Sequence, residues 1–334
     1  MLNNQIPVRA KGHVSMRRPL LLLLKAAISI LLLYASLRAV DLTALGERLG
    51  RLDVVWIITA FLLLAAQVVL VAFRWRMIVM QCGSDLGPLA ALRMSFIAMF
   101  FNSVLPSTVG GDAARVVMLK RAGSDWANAT YSVVIDRVAG VTVLSLIVLA
   151  CLPWSLRLVQ DPVARAFLLL IGGGAVAGAF VFISIGALRT PLLNRWAVTR
   201  HFVEVSRVAW RVCRNGRSLA AVAATSLIIH LTTIAVTWCI AQSAAASASF
   251  TLLLFLIPPV LLIATVPVSI AGWGLRETSM IVAFASAGLA RGDGLIVSVL
   301  YGLLSFAIGG IGGMIWIIGD LQMSALRSDA AQPD

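Results

Sequence analysis

Twenty consecutive residues, Val54 through Phe73, carry no charged side chain. A helix rises about 1.5 Å per residue, so a run of this length can cross the ~30 Å hydrocarbon core of a bilayer. Inside lipid every backbone N–H and C=O must find a partner within the protein, which leaves helices or closed barrels as the spanning structures. Comparable apolar stretches recur at 19–38, 124–152, 165–186, 218–241 and 295–318. The composition agrees: 60% hydrophobic, 12% charged, mean hydropathy +0.97. The expected fold class is an all-α polytopic membrane protein with about six full spans.

The formal net charge of +13 raises the question of nucleic acid. The arginines gather beside apolar spans, however, so topology and anionic lipid headgroups explain them and no nucleic-acid partner is expected. Residues 1–18 hold Arg9, Lys11, Arg17 and Arg18 without an acid and are read as a cytoplasmic tail. Residues 187–217 hold seven arginines against Glu204 alone, which makes them a second cytoplasmic segment. Trp196, Phe202, Val203, Val208 and Trp210 interleave with those charges and predict a helix lying along the inner interface. Arg74 and Arg76 mark the cytoplasmic return of the span that begins at Val54. The reading is one membrane domain over 19–320, a polar tail over 321–334, and both termini inside.

Two blocks interrupt this pattern. Asn102-Ser-Val-Leu-Pro-Ser-Thr-Val-Gly-Gly-Asp-Ala-Ala-Arg115 places Pro106, Gly110, Gly111, Asp112 and Arg115 after an apolar stretch of only some fifteen residues, 91–105. That is too short for a full crossing. Arg115, Lys120 and Arg121 follow; if they share a side with Arg74 and Arg76, the segment enters and leaves on the same face. The second block contains Pro258-Pro259, expected to break or kink its helix, and runs on through Pro267-Val-Ser-Ile-Ala-Gly-Trp-Gly-Leu-Arg-Glu277 to a short apolar segment at Met280–Leu289. Arg291-Gly292-Asp293 reads as a loop. Two broken or re-entrant helical hairpins in corresponding halves suggest an inverted repeat with a substrate site at its junction.

An arginine beside glycine-rich broken helices suits a phosphate, because guanidinium donates two parallel bonds and free N–H groups at a helix start add positive field. Arg115 and Arg276 are the anion-binding candidates, with Asp112 and Glu277 to orient them. Alanine at either arginine is expected to abolish the site's function in a folded protein. Asp136-Arg137 lies early in the next span. Adjacent helical residues point about 100° apart, so either Arg137 faces Asp112 or Asp136 faces Arg115. Ser107, Thr108, Ser269 and Asn102 offer neutral hydrogen bonds. Trp273 can line a headgroup cavity or anchor at the interface. Pro106, Gly110, Gly111, Pro267, Gly272 and Gly274 shape the backbone. Asp112 has an equally good reading as a helix cap. Cys82, Cys151, Cys213 and Cys239 lack metal-ligand spacing, and His230 reads as an interhelical hydrogen bond. No nucleophile–base pair, metal constellation or nucleotide motif is evident, so no cofactor and no covalent chemistry are expected.

At Asn102, Leu105-Pro106, Gly110-Gly111-Asp112, Arg115, the Ser132–Gly140 stretch with Asp136-Arg137, and Pro267-x-Ser269 through Gly272-Trp273-Gly274-x-Arg276-Glu277, the chain resembles a known family. That family is the flippase-like lysylphosphatidylglycerol synthase transmembrane domain, typified by the membrane half of the multiple peptide resistance factor. The resemblance covers most of residues 15–320. Asp136 stands where many relatives carry glutamate. The resemblance implies movement of a phosphate-bearing lipid (aminoacylated, glycolipid or isoprenoid-linked) between leaflets of a bacterial inner membrane. It offers no counterpart here of the soluble aminoacyl-transferase domain. The alternatives are an accessory or lipid-binding subunit of an envelope-lipid biosynthesis enzyme, and a membrane enzyme using Asp112 or Asp136 as acid–base on a lipid phosphate.

Overall fold

The computed structural model describes residues 50–105, 109–158, 162–187, 197–265 and 273–329, together with Leu31 and Tyr34. Apart from those two residues, the expected span at 19–38 lies outside the described residues. Regular structure among the described residues from 50 onward is helical: α1 (Val54–Gln81), α2 (Pro88–Val104), α3 (Gly110–Arg121), α4 (Trp126–Leu158), α5 (Pro162–Ala187), α6 (Ala197–Arg214), α7 (Gly216–Ser243), α8 (Phe250–Ala264), α9 (Leu275–Ser286) and α10 (Arg291–Asp329). Five of them, α1, α4, α5, α7 and α10, are long and apolar enough to cross a membrane.

Helices α1 and α7, each of 28 residues, lie antiparallel and set the height of the bundle. At one end the Asp53 N–H donates to the Ser243 carbonyl at 3.1 Å, and Ser243 Oγ donates to the Asp53 carbonyl at 2.9 Å. At the other end Gln81 Nε2 donates to Ser218 Oγ at 3.2 Å. Side-chain caps fix both starts, since Asp53 accepts from the Val55 N–H and Asn215 from the Ser218 N–H.

Two pairs of short helices fill the space between the long ones. Helices α2 and α3, of 17 and 12 residues, double back. Arg76 Nε donates to the Leu86 carbonyl at 2.7 Å, and the Ser84 and Ser124 hydroxyls meet at 2.6 Å. Both ends of the pair therefore sit at the Gln81–Ser218 end, where Leu86, Ala91, Leu119 and Ala129 bury around Trp75. Helices α8 and α9, of 15 and 12 residues, start from the opposite end. There Gln242 Nε2 donates to the Ala248 carbonyl at 3.1 Å, and Phe284 joins Ala244, Ala246 and Ala248 in the central core. Helix α10 runs past both pairs, touching α9 at Gly294 and α2 at Gly309, Gly312 and Gly313.

Four sequence expectations change. Helix α1 does not end at Arg74 but continues to Gln81, because the turn residues begin only at Cys82-Gly83. Helix α4 passes Pro153 and ends at Leu158. Residues Arg291–Asp293 open α10 instead of forming a loop. Helix α8 is not broken by Pro258-Pro259. Pro259 frees the carbonyl four residues before it, that of Phe255, and Ser155 Oγ from α4 donates to it at 3.2 Å.

Helix α6 is strongly amphipathic. Val205, Val208, Ala209 and Val212 bury against Ile78, Tyr131, Ile135 and Val222 at the Gln81–Ser218 end, and Arg200, Arg211 and Arg214 stay exposed. The four cysteines are free thiols. Burial pushes Cys82 up to about 12, against a smaller opposing pull from Arg211, so it stays protonated and inert near neutral pH.

Candidate functional site

Asn102 closes the first break. Its Oδ1 accepts the Gly111 N–H at 2.8 Å, satisfying a donor that the new helix start would leave free. Val109 at the cap position supplies no side-chain bond, and Asp112, three residues in, is not the cap. Glycine is required at 111 because a Cβ there would lie 2.3 Å from the Ala98 carbonyl oxygen and 2.7 Å from Asn102 Cγ. Gly111→Ala should cost about 1–3 kcal/mol by overpacking. Thermal unfolding of the purified variant checks this, and an unchanged melting temperature would rule out close approach of α3 to α2.

This close approach carries Asp112 and Arg115 into the bundle, where they meet α4 and α1. Arg115 Nη2 donates to Asp112 Oδ1 at 2.6 Å, and its Nη1 donates to Asp136 Oδ2 at 3.1 Å. Arg137 donates to Asp112 through Nε at 2.7 Å and through Nη2 at 3.1 Å. Arg74 Nε donates to Asp136 Oδ1 at 2.8 Å, and its Nη1 to Ser226 Oγ at 3.0 Å. Both alternatives for Asp136-Arg137 thus hold at once, as their ~100° divergence on the helix permits.

Three guanidinium groups face two carboxylates, and every carboxylate oxygen is already bound. Arg74, Arg115 and Asp136 are buried, but the Arg137 side chain is 51% exposed. Arg115 also rests over the Trp75 ring, 5.2 Å from its centroid, and Trp75 Nε1 donates to Ser132 Oγ at 3.2 Å. A charged cluster of this kind can also serve the fold alone, since buried pairs occur in proteins without a functional role. A cavity of about 290 Å³ opens beside it, mostly apolar in its walls (Leu64, Val68, Met99, Leu144 and Ile229 among them), with the charged cluster, Thr265 and Tyr301 also on its lining. Ser95 Oγ, Gln67 Oε1 and Arg115 Nε, all in lining side chains, are buried without a hydrogen-bond partner. Each such orphan costs about 1–3 kcal/mol unless something supplies its partner. His230 borders the same cavity, its Nε2 2.9 Å from the Gly140 carbonyl, which is the interhelical bond expected of it.

The second block has the same local plan. Gly274, at φ 86°, precedes α9, and Glu277 occupies the third helical position as Asp112 does in α3. Glu277 is fully buried. It accepts the Gly274 N–H at 2.6 Å, Arg276 Nη2 at 2.8 Å and Ser298 Oγ at 3.0 Å. The Arg276 guanidinium lies between the rings of Trp273 and Tyr301, with centroids at 5.3 and 5.6 Å. Trp273 therefore seats Arg276. Tyr301 connects the two blocks, since it also lines the cavity. Pro106, Ser107, Thr108, Pro267, Ser269 and Gly272 lie outside the described residues.

The sequence marks Arg74 as a cytoplasmic boundary and not as a site residue, and it gives Gln67, Ser95 and Tyr301 no role. For Arg74 a signal existed: no turn residue follows it until Gly83, so α1 had to continue and carry it inside. Ser95, Gln67 and Tyr301 have no distinguishing pattern in an apolar helix.

A bundle of apolar spanning helices with a charged centre between two doubled-back pairs defines a polytopic membrane protein of the transporter-like kind. The sequence profile of one family, described as the lysylphosphatidylglycerol synthase TM region, matches residues 22–313, and the chain belongs to that flippase-like family. The match is to the membrane region and not to a catalytic domain. No curated protein matches the chain. Among the described residues no group of three His, Cys, Asp or Glu side chains can hold a metal ion.

Proposed function

We propose that the chain is a lipid flippase of the bacterial inner membrane, moving a phosphate-bearing lipid between leaflets. The observation that carries this reading is the cavity bordered by Arg74, Arg115 and Arg137 with one positive charge in excess. In this reading the basic end of the bundle, with Lys120, Arg121 and helix α6, faces the cytoplasm. Helices α2 and α3 form a hairpin re-entrant from inside, α8 and α9 form one from outside, and the two are halves of an inverted repeat.

Arg137 is the group that receives the phosphate first. Arg115 is clamped between two aspartates, and Arg276 is held by Glu277, Ser298 and two rings. Arg137 is half exposed and, among the described residues, pairs with Asp112 alone, so an incoming phosphate can exchange with that carboxylate. The exchange loosens α3 from α4 while the Arg115–Asp136 bridge keeps the hairpin attached. Arg276-Glu277 acts as the second pivot, passing its position to the cavity through Tyr301.

The test is a leaflet-accessibility assay in liposomes with Arg137→Gln. Loss of one charge-assisted contact, discounted for its exposure, should slow lipid movement about tenfold with an unchanged melting temperature. An unaltered rate in the folded variant would remove Arg137 from the path. No movement by the wild-type chain under any ion gradient would favour the accessory-subunit reading, and a chemically altered lipid would favour the enzyme.

A further inference from the structure

The cavity also holds a group able to link lipid movement to a source of energy, a point that rests on the lipid-handling reading above. We propose that His230 couples the movement to protons. Its imidazole takes a proton from water when a lipid phosphate enters the cavity, holds it while the phosphate is inside, and returns it to water when the phosphate leaves toward the opposite leaflet.

Position gives the first argument. Ser226, His230 and Thr233 form a stripe on α7, at spacings of four and three residues. Ser226 receives Arg74 and Thr233 receives Gln67, both from α1. His230, between them, reaches α4 instead and meets the Gly140 carbonyl at 2.9 Å. Asp136 stands four residues before Gly140, and Ser226 four before His230. The imidazole therefore lies one helical turn, about 5.4 Å, beyond the Asp136–Arg74–Ser226 bridge. Glycine at 140 leaves room for this meeting, since a Cβ there would lie 3.3 Å from Arg74 Nη1.

The two ring nitrogens give the second. A carbonyl only accepts, so the neutral ring carries its hydrogen on Nε2 and its lone pair on Nδ1. Among the described residues Nδ1 has no hydrogen-bond partner, and it is not sealed from solvent as Arg115 Nε is. The half-buried ring lines the cavity and brings a proton-accepting atom to it. Protonation breaks no bond in the wall, because both nitrogens of an imidazolium donate and Nε2 keeps Gly140. Nε2 thus serves the fold and Nδ1 takes the proton.

Charge gives the third. The charged and titratable groups that share the cavity with His230 are Arg74 of α1, Arg115 of α3, Asp136 and Arg137 of α4, and Tyr301 of α10. Asp112 joins them through Arg115 and Arg137. Helix α8 carries no charged residue. Helix α6 meets α7 at Val222, two turns toward the basic end. There Arg207 pairs with Glu204, while Arg200, His201, Arg211 and Arg214 are exposed. Around the cavity three guanidinium groups face two carboxylates, and an entering phosphodiester cancels the excess. Its negative charge favours a proton on His230, and by reciprocity the proton favours the phosphate. Phosphate and proton together cross as a neutral pair. An uncompensated charge moved against about 100 mV would instead shift the leaflet ratio by about fiftyfold.

The experiment adds phosphatidylglycerol to the full chain in weakly buffered detergent and follows proton uptake with a pH-indicator dye. Diacylglycerol of the same acyl chains is the phosphate-free control. Between about pH 5 and pH 8, wild type should take up about half a proton per phosphatidylglycerol at the pH of greatest uptake. It should bind this lipid about tenfold more tightly at the acid end of that range. Diacylglycerol should bring no uptake. His230→Gln keeps an N–H donor for the Gly140 carbonyl and loses the basic nitrogen, so its melting temperature should hold while proton uptake vanishes. In liposomes, a pH difference of about one unit should bias phosphatidylglycerol severalfold, up to about tenfold, toward the alkaline side. His230→Gln should abolish this bias, and if the variant melts early the wild-type gradient response alone decides. Uptake that persists in the folded variant places the proton on Asp112 or Asp136 and overturns the proposal. Binding without proton uptake, or movement that ignores the gradient, overturns it too and leaves the flippase reading standing. Proton-linked binding with no movement between leaflets overturns the flippase reading and leaves His230 as the proton site. Absence of phosphatidylglycerol binding overturns both.

Discussion

Asp136→Ala should destabilise the bundle by about 3–5 kcal/mol, because it strands two buried guanidinium groups at once. Asp136 is 1% exposed, and its two oxygens receive Arg74 and Arg115, themselves each 6% exposed. After the substitution, among the described residues, Arg74 keeps the Ser226 hydroxyl as its hydrogen-bond partner, and Arg115 keeps Asp112 and the Trp75 ring. Little hydration is available at the buried guanidinium groups, so the lost Coulomb energy is not replaced. Asp136→Asn retains the shape and one acceptor and should fall between wild type and alanine. A second change separates the charge from the packing: Arg74→Met in the Asp136→Ala background removes one stranded cation and should recover part of the loss. Reversible unfolding in mixed micelles measures all four proteins. A loss below about 1 kcal/mol for Asp136→Ala would mean that water reaches this centre and screens it.

The same cluster shows what the sequence made legible. The two interrupted blocks and their carboxylate–arginine pairs stand out, because charges and paired glycines are costly inside an apolar chain and need a reason. The partners of Asp136 were less legible. Arg115 was one of two options, and Arg74 looked like a cytoplasmic marker because arginine at the end of an apolar run usually is one. What draws Arg74 inside is the length of α1, extended to Gln81 so that it matches α7 and meets Ser218. That is a tertiary constraint from a segment more than a hundred residues away. Pro258-Pro259 misled for a similar reason. The local rule predicts a break, but the freed Phe255 carbonyl finds Ser155 on another helix, and no local pattern reports such a rescue. Ser95 and Gln67 were invisible, since one hydroxyl or amide in an apolar helix is common and only the cavity gives it meaning.

Gly312→Leu should be nearly as damaging, through geometry instead of charge. In lipid there is little hydrophobic drive between helices, so contact is held by van der Waals packing of backbones brought close by small residues. Helix α10 does this against α2. A Cβ at Gly312 would lie 1.9 Å from the Phe96 carbonyl oxygen, one at Gly313 2.8 Å from the Phe100 ring, and one at Gly309 2.9 Å from Ser103 Oγ. A ring or hydroxyl can rotate away, but the Phe96 carbonyl is part of the α2 backbone and cannot. Leucine at 312 must therefore push the two helices apart, at a cost of about 3 kcal/mol, the upper range for overpacking. Gly310→Leu is the control, because a Cβ there meets nothing within 4 Å and the change should stay within about 0.5 kcal/mol. The displacement also has a functional consequence. Helix α2 carries Ser95, Ala98, Met99 and Asn102 along one wall of the cavity, and Asn102 holds the Gly111 N–H that starts α3. Moving α2 therefore moves the helix on which Asp112 and Arg115 stand, and lipid movement should fall with stability in Gly312→Leu but not in Gly310→Leu. If Gly312→Leu melts early yet moves lipid at the wild-type rate, α2 is not a fixed wall of the transport path, and the path must be sought on the α4 and α7 side of the cavity.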